Sequence, residues 1–348
     1  MSFQQEHTVE PLRVSIIIEW ENVRLSELGR SKAMLRQLSA QILQLTDMTN
    51  GTASSPEQTF LSRFREVEVM VLYDDKEIDG SVIARIIEEV IKSDHLDIQL
   101  RLLPAPGRRY YQLKNFGAQR ATGNFIVFLD SDVIPEEGWL LHLLAAFANP
   151  EVQVVGSNVY IDPSDLYAKA FALGWFFPLR AEDETLHKVH YFFANSVAFR
   201  KEVFAKFAFP VLKGTSRGAC GKLAQTLTEH GVGIYQNRAA RLSHPPPNGL
   251  KHFIIRALAE GRDHLLFHKH IGAPDKAKLH KLPKSFEHFR FLTTRAAQSI
   301  VKNRACVNLS LACVPGAVWI MSVYYLLYLM GEIMTRVSPS FMEKHFEI

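Results

Sequence analysis

The chain has 348 residues, 47% hydrophobic and 22% charged, which is enough to bury one large domain or two modest ones. Its net charge of +4 is too small to indicate a nucleic-acid partner. The three cysteines, Cys220, Cys306 and Cys313, form neither a disulfide framework nor a zinc spacing, and they fit a reducing compartment. The polar amino terminus lacks an apolar signal core, so we expect the first domain to remain in the cytoplasm.

The first hundred residues alternate between strand and helix patterns. Short apolar runs at residues 14–18, 67–72 and 99–103 are typical of buried strands. Apolar residues at helical spacing mark residues 35–45 and 82–91 as amphipathic helices. This alternation predicts a parallel sheet with right-handed crossovers.

Polar residues follow two of these strands. The first strand leads through Glu19 to Asn22, and the second leads into the acidic run DDKEIDG at residues 74–80. Asp74 and Asp75 can serve a ligand or can form a charged turn that caps the next helix. Both interpretations stay open at this point.

A further buried strand at residues 125–129 is followed at once by Asp130 and Asp132. Two carboxylates at i and i+2 in a turning loop can converge on one hard cation. Pro135 and the two glutamates after it are expected to open a helix. The acidic pair therefore falls at the carboxyl end of a strand, where open α/β sheets bind ligands. The alternative is a solvated turn that caps the following helix.

The residues around this acidic pair resemble those of family-2 glycosyltransferases. Lys114, Asn115 and Gly117, then Ala121 and Gly123, precede the strand and its D-S-D in the order of the family stretch A-R-N-x-G…A-x-G-(strand)-D-x-D. Leu113 replaces the first alanine. The run at residues 74–80 is similar to the family's D-D-G-S-x-D-G, with Lys76 and Glu77 in place of Gly and Ser. The resemblance covers about residues 14–245.

The second half resembles the acceptor side of the same family. The segment HYFFANSVAF at residues 190–199, followed by RKEVF, is similar to G-A-N-x-A-F-R-R-E-V-(L/F), and Asn195 and Arg200 carry the likeness. Both residues could equally serve a turn and a helix start. The segment AARLSH at residues 239–244 resembles the late A-x-V-x-H pattern, in which the histidine can complete a metal site. The alternative for His244 is a capping or exposed histidine.

One departure from the family concerns the catalytic base. The family segment G-E-D-x-x-L supplies an acidic residue that accepts the proton of the acceptor, whereas residues 218–223 of this chain read GACGKL. Ala219 cannot act as a base, and Cys220 is a poor base at pH 7 and is better explained as a small buried residue. The nearest titratable cluster in the sequence, and the weak candidate for the base, consists of Glu182, Asp183, Glu184 and His187.

The resemblance implies a nucleotide-binding α/β sandwich of glycosyltransferase A type with a mainly parallel sheet. It further implies metal-dependent, inverting transfer of a sugar from a nucleotide-diphosphate sugar, with Mn²⁺ or Mg²⁺ held by Asp130, Asp132 and His244. The residues expected to bind the donor are Asn22, Asp74, Asp75, Lys114, Asn115 and Asp130. Because the usual base is missing, a catalytically inactive nucleotide-sugar-binding or scaffold protein is the alternative.

The carboxyl-terminal region has a different character. Residues 305–331 carry no charge and would exceed the roughly 30 Å hydrocarbon core as a helix. Pro315 and Gly316 interrupt this run, so a kinked span, a re-entrant hairpin, an interfacial helix and a buried core helix are all open. The aromatic cluster at residues 167–179 can pack in the core or lie at a lipid interface.

Three parts are therefore expected. Residues 1–150 form the nucleotide-sugar-binding half, residues 151–250 form the acceptor-side half of the same catalytic domain, and residues 251–348 form a helical, membrane-associated region. The catalytic domain is expected on the cytoplasmic side of the membrane. The acceptor is a lipid phosphate, which is already ionised and needs no base, or a saccharide.

Overall fold

The computed structural model describes residues 10–24, 28–48, 54–90, 98–212, 215, 217–270 and 282–338. In this part of the chain, strands β1 to β9 span Leu12–Glu19, Phe64–Tyr73, Ile98–Pro104, Phe125–Asp130, Ile134–Pro135, Val154–Ile161, Leu186–Val189, Ser196–Arg200 and Ile234–His244. Helices α1 to α11 span Leu28–Met48, Pro56–Leu61, Gly80–Val90, Tyr110–Ala118, Trp139–Ala145, Leu166–Gly174, Lys201–Lys206, Ala219–Glu229, Gly249–His270, Leu282–Asn303 and Val314–Val337.

The strands form one sheet in the order β3-β2-β1-β4-β8-β6-β9-β5, with β7 also paired to β9. The pairs β3-β2, β2-β1 and β1-β4 are parallel, as the alternating pattern predicted. Ile16 and Ile18 of β1 pack on one face of the sheet and Ile17 on the other, because successive side chains of a strand point to opposite faces. Helices cover both faces, which explains why these strands are apolar throughout.

The second half of the sheet mixes strand directions. Strand β8 runs antiparallel to both β4 and β6, and β9 runs parallel to β6. Two reversals in succession leave β6 and β9 running in the same direction as β4. The carboxyl ends of β1, β2, β4 and β9 therefore meet at one edge of the sheet, and this places Asp130 and His244 on the same side of the molecule.

The loop after β4 differs from the expectation. The helix expected to open at Pro135 begins only at Trp139, after Gly138 in the left-handed region at φ 76°. Ile134 and Pro135 instead form the short strand β5, which pairs with Ser243 and Leu242 of β9. The sequence signal for a helix start was outweighed by this long-range pairing, which ties the Asp130–Asp132 loop to the strand that ends at His244.

Helix α11 packs against α6, α9 and α10, and α10 also packs against α6. Pro315 does not kink the apolar segment; it lies in the first turn of α11, where a helix needs no amide donor. The apolar run at residues 305–331 is nevertheless interrupted, as predicted, because Asn308 lies in the left-handed region at φ 51° and α11 begins only at Val314. Phe171, Trp175 and Phe177 of the aromatic cluster are buried, which confirms their place in the core, while Phe176 is exposed.

Residues Leu311–Val337 are long and apolar enough to cross a membrane, and 33% of their most apolar stretch is buried inside the protein. One face of α11 packs through Ala317, Met321 and Tyr324 into the core. The other face exposes Trp319, Leu326 and Met330. Within the described residues, one side of this helix thus packs into the core and the other side is apolar and exposed.

Candidate functional site

A cleft with an empty volume of about 400 Å³ opens at the carboxyl edge of the sheet. It lies where β1, β4 and β9 end and where α9 begins. The residues that line it are Asn22, Asp132, Trp175, Arg217, His244, Pro245, Pro246, Pro247, Asn248, His252 and Arg256. The structure therefore brings Asn22, Asp132 and His244, three of the residues singled out in the sequence, to one place.

Asp130 lies beside the cleft, and both of its carboxylate oxygens accept hydrogen bonds. Lys114, which is 0% exposed, donates to Oδ1 at 2.6 Å. The hydroxyl of Tyr110 donates within 3.0 Å and 2.8 Å of the two oxygens, and Nδ2 of Asn22 donates to Oδ2 at 3.1 Å. This network holds Asp130 in one orientation and neutralises its charge.

Asp132 has a different environment. Its Oδ1 is buried and has no hydrogen-bond partner among the described residues, while Arg30 donates to its backbone carbonyl at 2.6 Å. Burial, together with the negative charge of Asp130, raises the pKa of Asp132 to about 6. A buried carboxylate oxygen without a donor is unfavourable unless a cation binds it, so this residue fits a metal ligand.

His244 faces the same cleft from the end of β9. Its Nδ1 donates to the carbonyl of Pro245 at 2.6 Å, which leaves the lone pair on Nε2. Burial, assisted by the charge of Arg256, holds the pKa of His244 well below its usual value. The imidazole is therefore neutral at physiological pH, as a metal ligand must be. Its ring packs on Phe177, with the ring centroids 4.8 Å apart.

Glu19, which departs from the family pattern, is fully buried at the end of β1 beside Asp130. Its Oε2 accepts from the amide of Glu21 at 2.9 Å, and its Oε1 has no hydrogen-bond partner. Burial and the charge of Asp130 raise the pKa of Glu19 well above its usual value. Burial and the neighbouring carboxylate therefore both favour the protonated form of Glu19.

Other residues expected to bind the donor are engaged elsewhere. The side chain of Asn115 bonds the backbone of Phe209 twice, as donor at 2.8 Å and acceptor at 3.1 Å, so it anchors the acceptor-side loop. Asp74 accepts from the amide of Lys76 at 3.1 Å, and Asp75 is exposed. Both aspartates follow β2 at the same sheet edge as the cleft, although neither lines it.

The carbonyl of Asn195 accepts from the amide of Asp130 at 3.0 Å, and its side-chain Oδ1 is buried with no partner in the part of the chain that the structure describes. Asn195 thus lies beside the acidic loop. Arg200 donates to the carbonyls of Val152, Phe147 and Asn149, which makes it a structural tie at the far end of β8.

The four base candidates do not line the cleft. Glu182, Asp183 and Glu184 form ion pairs with Arg180, Arg238 and Arg241 respectively. His187 hydrogen-bonds Thr185 beside them. Cys220 accepts from the hydroxyl of Tyr111 at 3.3 Å and is likewise absent from the lining of the cleft.

Two arginines of the cleft were missed in the sequence. The guanidinium of Arg217 lies 5.4 Å from the ring centroid of Tyr110, and that of Arg256 lies 5.3 Å from the ring of Trp175. Arg256 also donates to Glu260 at 2.8 Å. Arg217 directly precedes the GACGKL segment, which stands where the related family has its catalytic base. This position was the sequence signal that could have placed Arg217 near the site.

A sheet of four parallel strands extended by a mixed acceptor half, with an acidic loop and a cleft at the carboxyl edge, defines a glycosyltransferase A fold. The chain superposes on the mannosyltransferase of Pyrobaculum calidifontis in complex with GDP-Man and Mn²⁺ with a TM-score of 0.53. That superposition covers 95% of this chain and 88% of the other, at 19% sequence identity.

Residues 58–207 match the model of glycosyl transferase family 2. A stretch of 46 residues is 44% identical to the pre-mycofactocin glycosyltransferase of Mycobacterium tuberculosis. This stretch makes up 13% of this chain and 10% of that relative's length. The chain therefore carries a glycosyltransferase family 2 domain, and the family and fold indicated by the sequence motifs are confirmed.

Proposed function

We propose that the protein transfers a sugar from a nucleotide-diphosphate sugar, with Mn²⁺ or Mg²⁺ held by Asp132 and His244. The observation that carries the proposal is the unpaired, buried Oδ1 of Asp132, which faces the same cleft as a neutral His244. The bound GDP-Man and Mn²⁺ of the superposed mannosyltransferase agree with such a donor and metal.

The metal would neutralise the charge that develops on the leaving diphosphate. In this proposal Asp130, fixed by Lys114 and Tyr110, faces the donor as a rigid acceptor of hydrogen bonds. Asn22 together with Asp74 and Asp75 borders the nucleoside at the ends of β1 and β2. The acceptor attacks from the opposite side of the sugar, so the reaction inverts the anomeric centre.

We further propose that the acceptor carries a phosphate on a lipid. Arg217 and Arg256 line the cleft, and the one acidic residue among its described lining, Asp132, is assigned to the metal. A phosphate oxygen is ionised at neutral pH, so it can attack without a general base, and two guanidiniums can hold it. This acceptor explains why the four acidic and histidine candidates lie elsewhere.

The membrane contact is part of the same proposal. The exposed sides of α10 and α11 carry large apolar residues, among them Phe286, Phe291 and Trp319. Helix α11 packs against α9, and His288 of α10 stacks on His264 of α9, the helix that also carries Arg256 of the cleft. In this proposal the exposed apolar residues of α10 and α11 contact the bilayer that holds the lipid chain, and its phosphate lies in the cationic cleft beside the donor, with the catalytic domain on the cytoplasmic side.

The metal role is tested by Asp132→Asn, with the exposed Asp162→Asn as the matched control. We expect manganese-dependent donor binding, measured by calorimetry with a panel of nucleotide-diphosphate sugars, to vanish in the first variant and persist in the second. Turnover should follow the same pattern. Equal donor binding and equal metal dependence in Asp132→Asn would refute the assignment.

The acceptor is tested by transfer to a polyprenyl phosphate and to neutral saccharides. Arg217→Met should lose transfer to the phosphate by at least tenfold while donor binding stays close to wild type. Efficient transfer to a neutral saccharide and none to the phosphate would overturn the lipid-phosphate proposal and leave the donor site intact.

A second candidate follows from Ala219, which stands where the family places its base. A protein that binds the nucleotide sugar without transferring it would need no base. This second function would be favoured by metal-dependent donor binding without turnover on any acceptor. The preparation must bind one donor per chain, so that inactive protein is ruled out.

A further inference from the structure

A second cluster of metal-binding side chains lies away from the cleft, where α9, α10 and α11 meet. His264 comes from α9, His288 from α10 and Glu332 from α11. One nitrogen or oxygen from each lies within 4.8 Å of the others. His264 follows Arg256 of the cleft by eight residues, or about 12 Å along the helix.

Two glycines set the close approach of the helices. A Cβ on Gly261 of α9 would meet the carbonyl oxygen of Tyr328 at 1.9 Å, and a Cβ on Gly331 of α11 would meet that of Leu258 at 2.1 Å. The backbones of α9 and α11 therefore touch at this point. His264 and Glu332 follow these glycines within one turn, so the contact brings their side chains together.

The geometry suits a tetrahedral metal. Nδ1 of His264 lies 2.9 Å from Oε1 of Glu332, and Nδ1 of His288 lies 3.6 Å from the same oxygen. Ligand atoms at 2.0–2.1 Å from a tetrahedral zinc ion are about 3.3 Å apart. The two observed N···O distances bracket this value, and the two imidazole rings, which stack with their centroids 4.3 Å apart, would turn so that a nitrogen of each faces the ion.

The carboxylate is oriented for this role. Ser285 hydrogen-bonds Oε2 of Glu332, and Arg336 lies 3.6 Å from the same oxygen. These contacts leave Oε1 directed at the two imidazoles, as outer contacts do for the ligands of a metal. Nδ1 of His288 is buried, and within the described part of the chain it has no hydrogen-bond partner. A metal ion would give this nitrogen a bond.

The cluster is accessible from solvent. The side chains of His264 and His288 are 28% and 27% exposed, and that of Glu332 is 2% exposed. An ion can therefore enter, and water can supply a fourth ligand. Two imidazoles and one carboxylate favour Zn²⁺ or a related transition metal over Mg²⁺, whereas an aspartate site shared with a diphosphate favours Mg²⁺ or Mn²⁺.

We propose that His264, His288 and Glu332 bind Zn²⁺ or a similar transition metal and fasten α9, α10 and α11 to one another. The site is separate from the donor cleft, and its function is structural. Because α9 also lines the cleft and α10 and α11 carry the exposed apolar surface, the ion would hold these two surfaces in a fixed relation.

The test uses the full chain without a histidine tag, treated with a chelator and then titrated with Zn²⁺ or Co²⁺. We expect one ion per chain by calorimetry, a visible Co²⁺ absorption band typical of tetrahedral coordination, and a rise in melting temperature. His264→Ala and His288→Ala should lose all three. His190→Ala, an exposed histidine on the acceptor side, should keep them.

Asp132→Asn should also keep the zinc response, which separates this site from the proposed donor metal. His288→Gln serves if an alanine variant fails to fold, since a glutamine preserves bulk and removes the imidazole. A wild-type chain that binds no ion, or ion binding that survives in the double variant His264→Gln with His288→Gln, would overturn the proposal and leave a hydrogen-bonded histidine pair instead.

Discussion

The fully buried pair of Lys114 and Asp130 allows a quantitative test of the site's electrostatics. Replacing Lys114 with methionine keeps most of the side-chain volume and removes the charge. Asp130 would then be buried as an anion, with Glu19 and Asp132 beside it. Loss of one partner from a buried ion pair destabilises a protein by about 3–5 kcal/mol.

The hydrogen bonds from Tyr110 and Asn22 remain in this variant, so we expect a loss of about 3 kcal/mol, at the lower end of that range. At about 2.1 cal/mol/K per residue, the unfolding entropy of a 348-residue chain converts such a loss into a fall of about 4 °C in the melting temperature. Adding Asp130→Asn removes the stranded charge, and the double variant should recover about 2 kcal/mol of the loss. Donor binding should stay abolished, because both side chains contribute to it in the proposed function.

Scanning calorimetry and urea unfolding of the single and double variants measure these differences. The matched control is Lys32→Met, which breaks an ion pair of 2.7 Å between Lys32 and Glu89 whose carboxylate side chain is 54% exposed. A change of less than about 1 kcal/mol is expected there. If Lys114→Met were as mild as the control, or if Asp130→Asn brought no recovery, the assignment of a buried charge network would be refuted.

Three further predictions concern the scaffold. Burial by itself raises the pKa of Glu68, but hydrogen bonds to its carboxylate outweigh this effect and lower the pKa. The ionised carboxylate therefore stabilises the fold above pH 4.5, and this stabilisation is lost as the pH falls through the lowered pKa. Glu68→Gln should therefore cost about 1–3 kcal/mol at pH 7 in urea unfolding, and a gap from wild type that does not shrink below pH 4 would contradict this. Gly261→Ala should lower the melting temperature strongly, because its Cβ would overlap the carbonyl of Tyr328. Gly29→Ala is the control, since a Cβ at Gly29 would meet no described atom within 4 Å, and it should leave the melting temperature unchanged or raise it. Equal effects of the two substitutions would contradict the contact between α9 and α11. Trp319→Ser removes a side chain that is 68% exposed. The affinity for anionic vesicles, measured by co-sedimentation, should fall about tenfold while the melting temperature stays unchanged. Unaltered vesicle binding would argue against α11 as the lipid-facing surface.

Much of the nucleotide-binding half could be predicted from local patterns. The strands at residues 14–18, 67–72 and 125–129 were found within a few residues of their observed bounds, because a strand buried on both faces is a continuous apolar run. The pairing of β5 with β9 could not be found in this way. A two-residue strand has no periodicity, and its hydrogen bonds join residues more than a hundred positions apart.

The candidate site likewise contains residues that could be predicted from the sequence and residues that could not. Asp130 and Asp132 were recognised by their spacing, but the spacing gave no reason to assign them different environments. Tyr110, Arg217 and Arg256 were missed because each is an ordinary residue in its own segment and reaches the site only through folding. The acidic cluster at residues 182–184 was near the missing base in the chain, yet its ion pairs with three arginines hold it away from the cleft.

By itself, the sequence determined the family, the parallel half of the sheet and the acidic loop, since these follow from apolar runs and short motifs that act locally. The tertiary structure decided which carboxylate is neutralised and which is left with an unpaired oxygen. It also decided that the apolar carboxyl-terminal helix packs on the catalytic domain and that two histidines and a glutamate meet between three helices. Such properties depend on contacts between distant segments, and burial and charge neighbours exist only after those segments have packed.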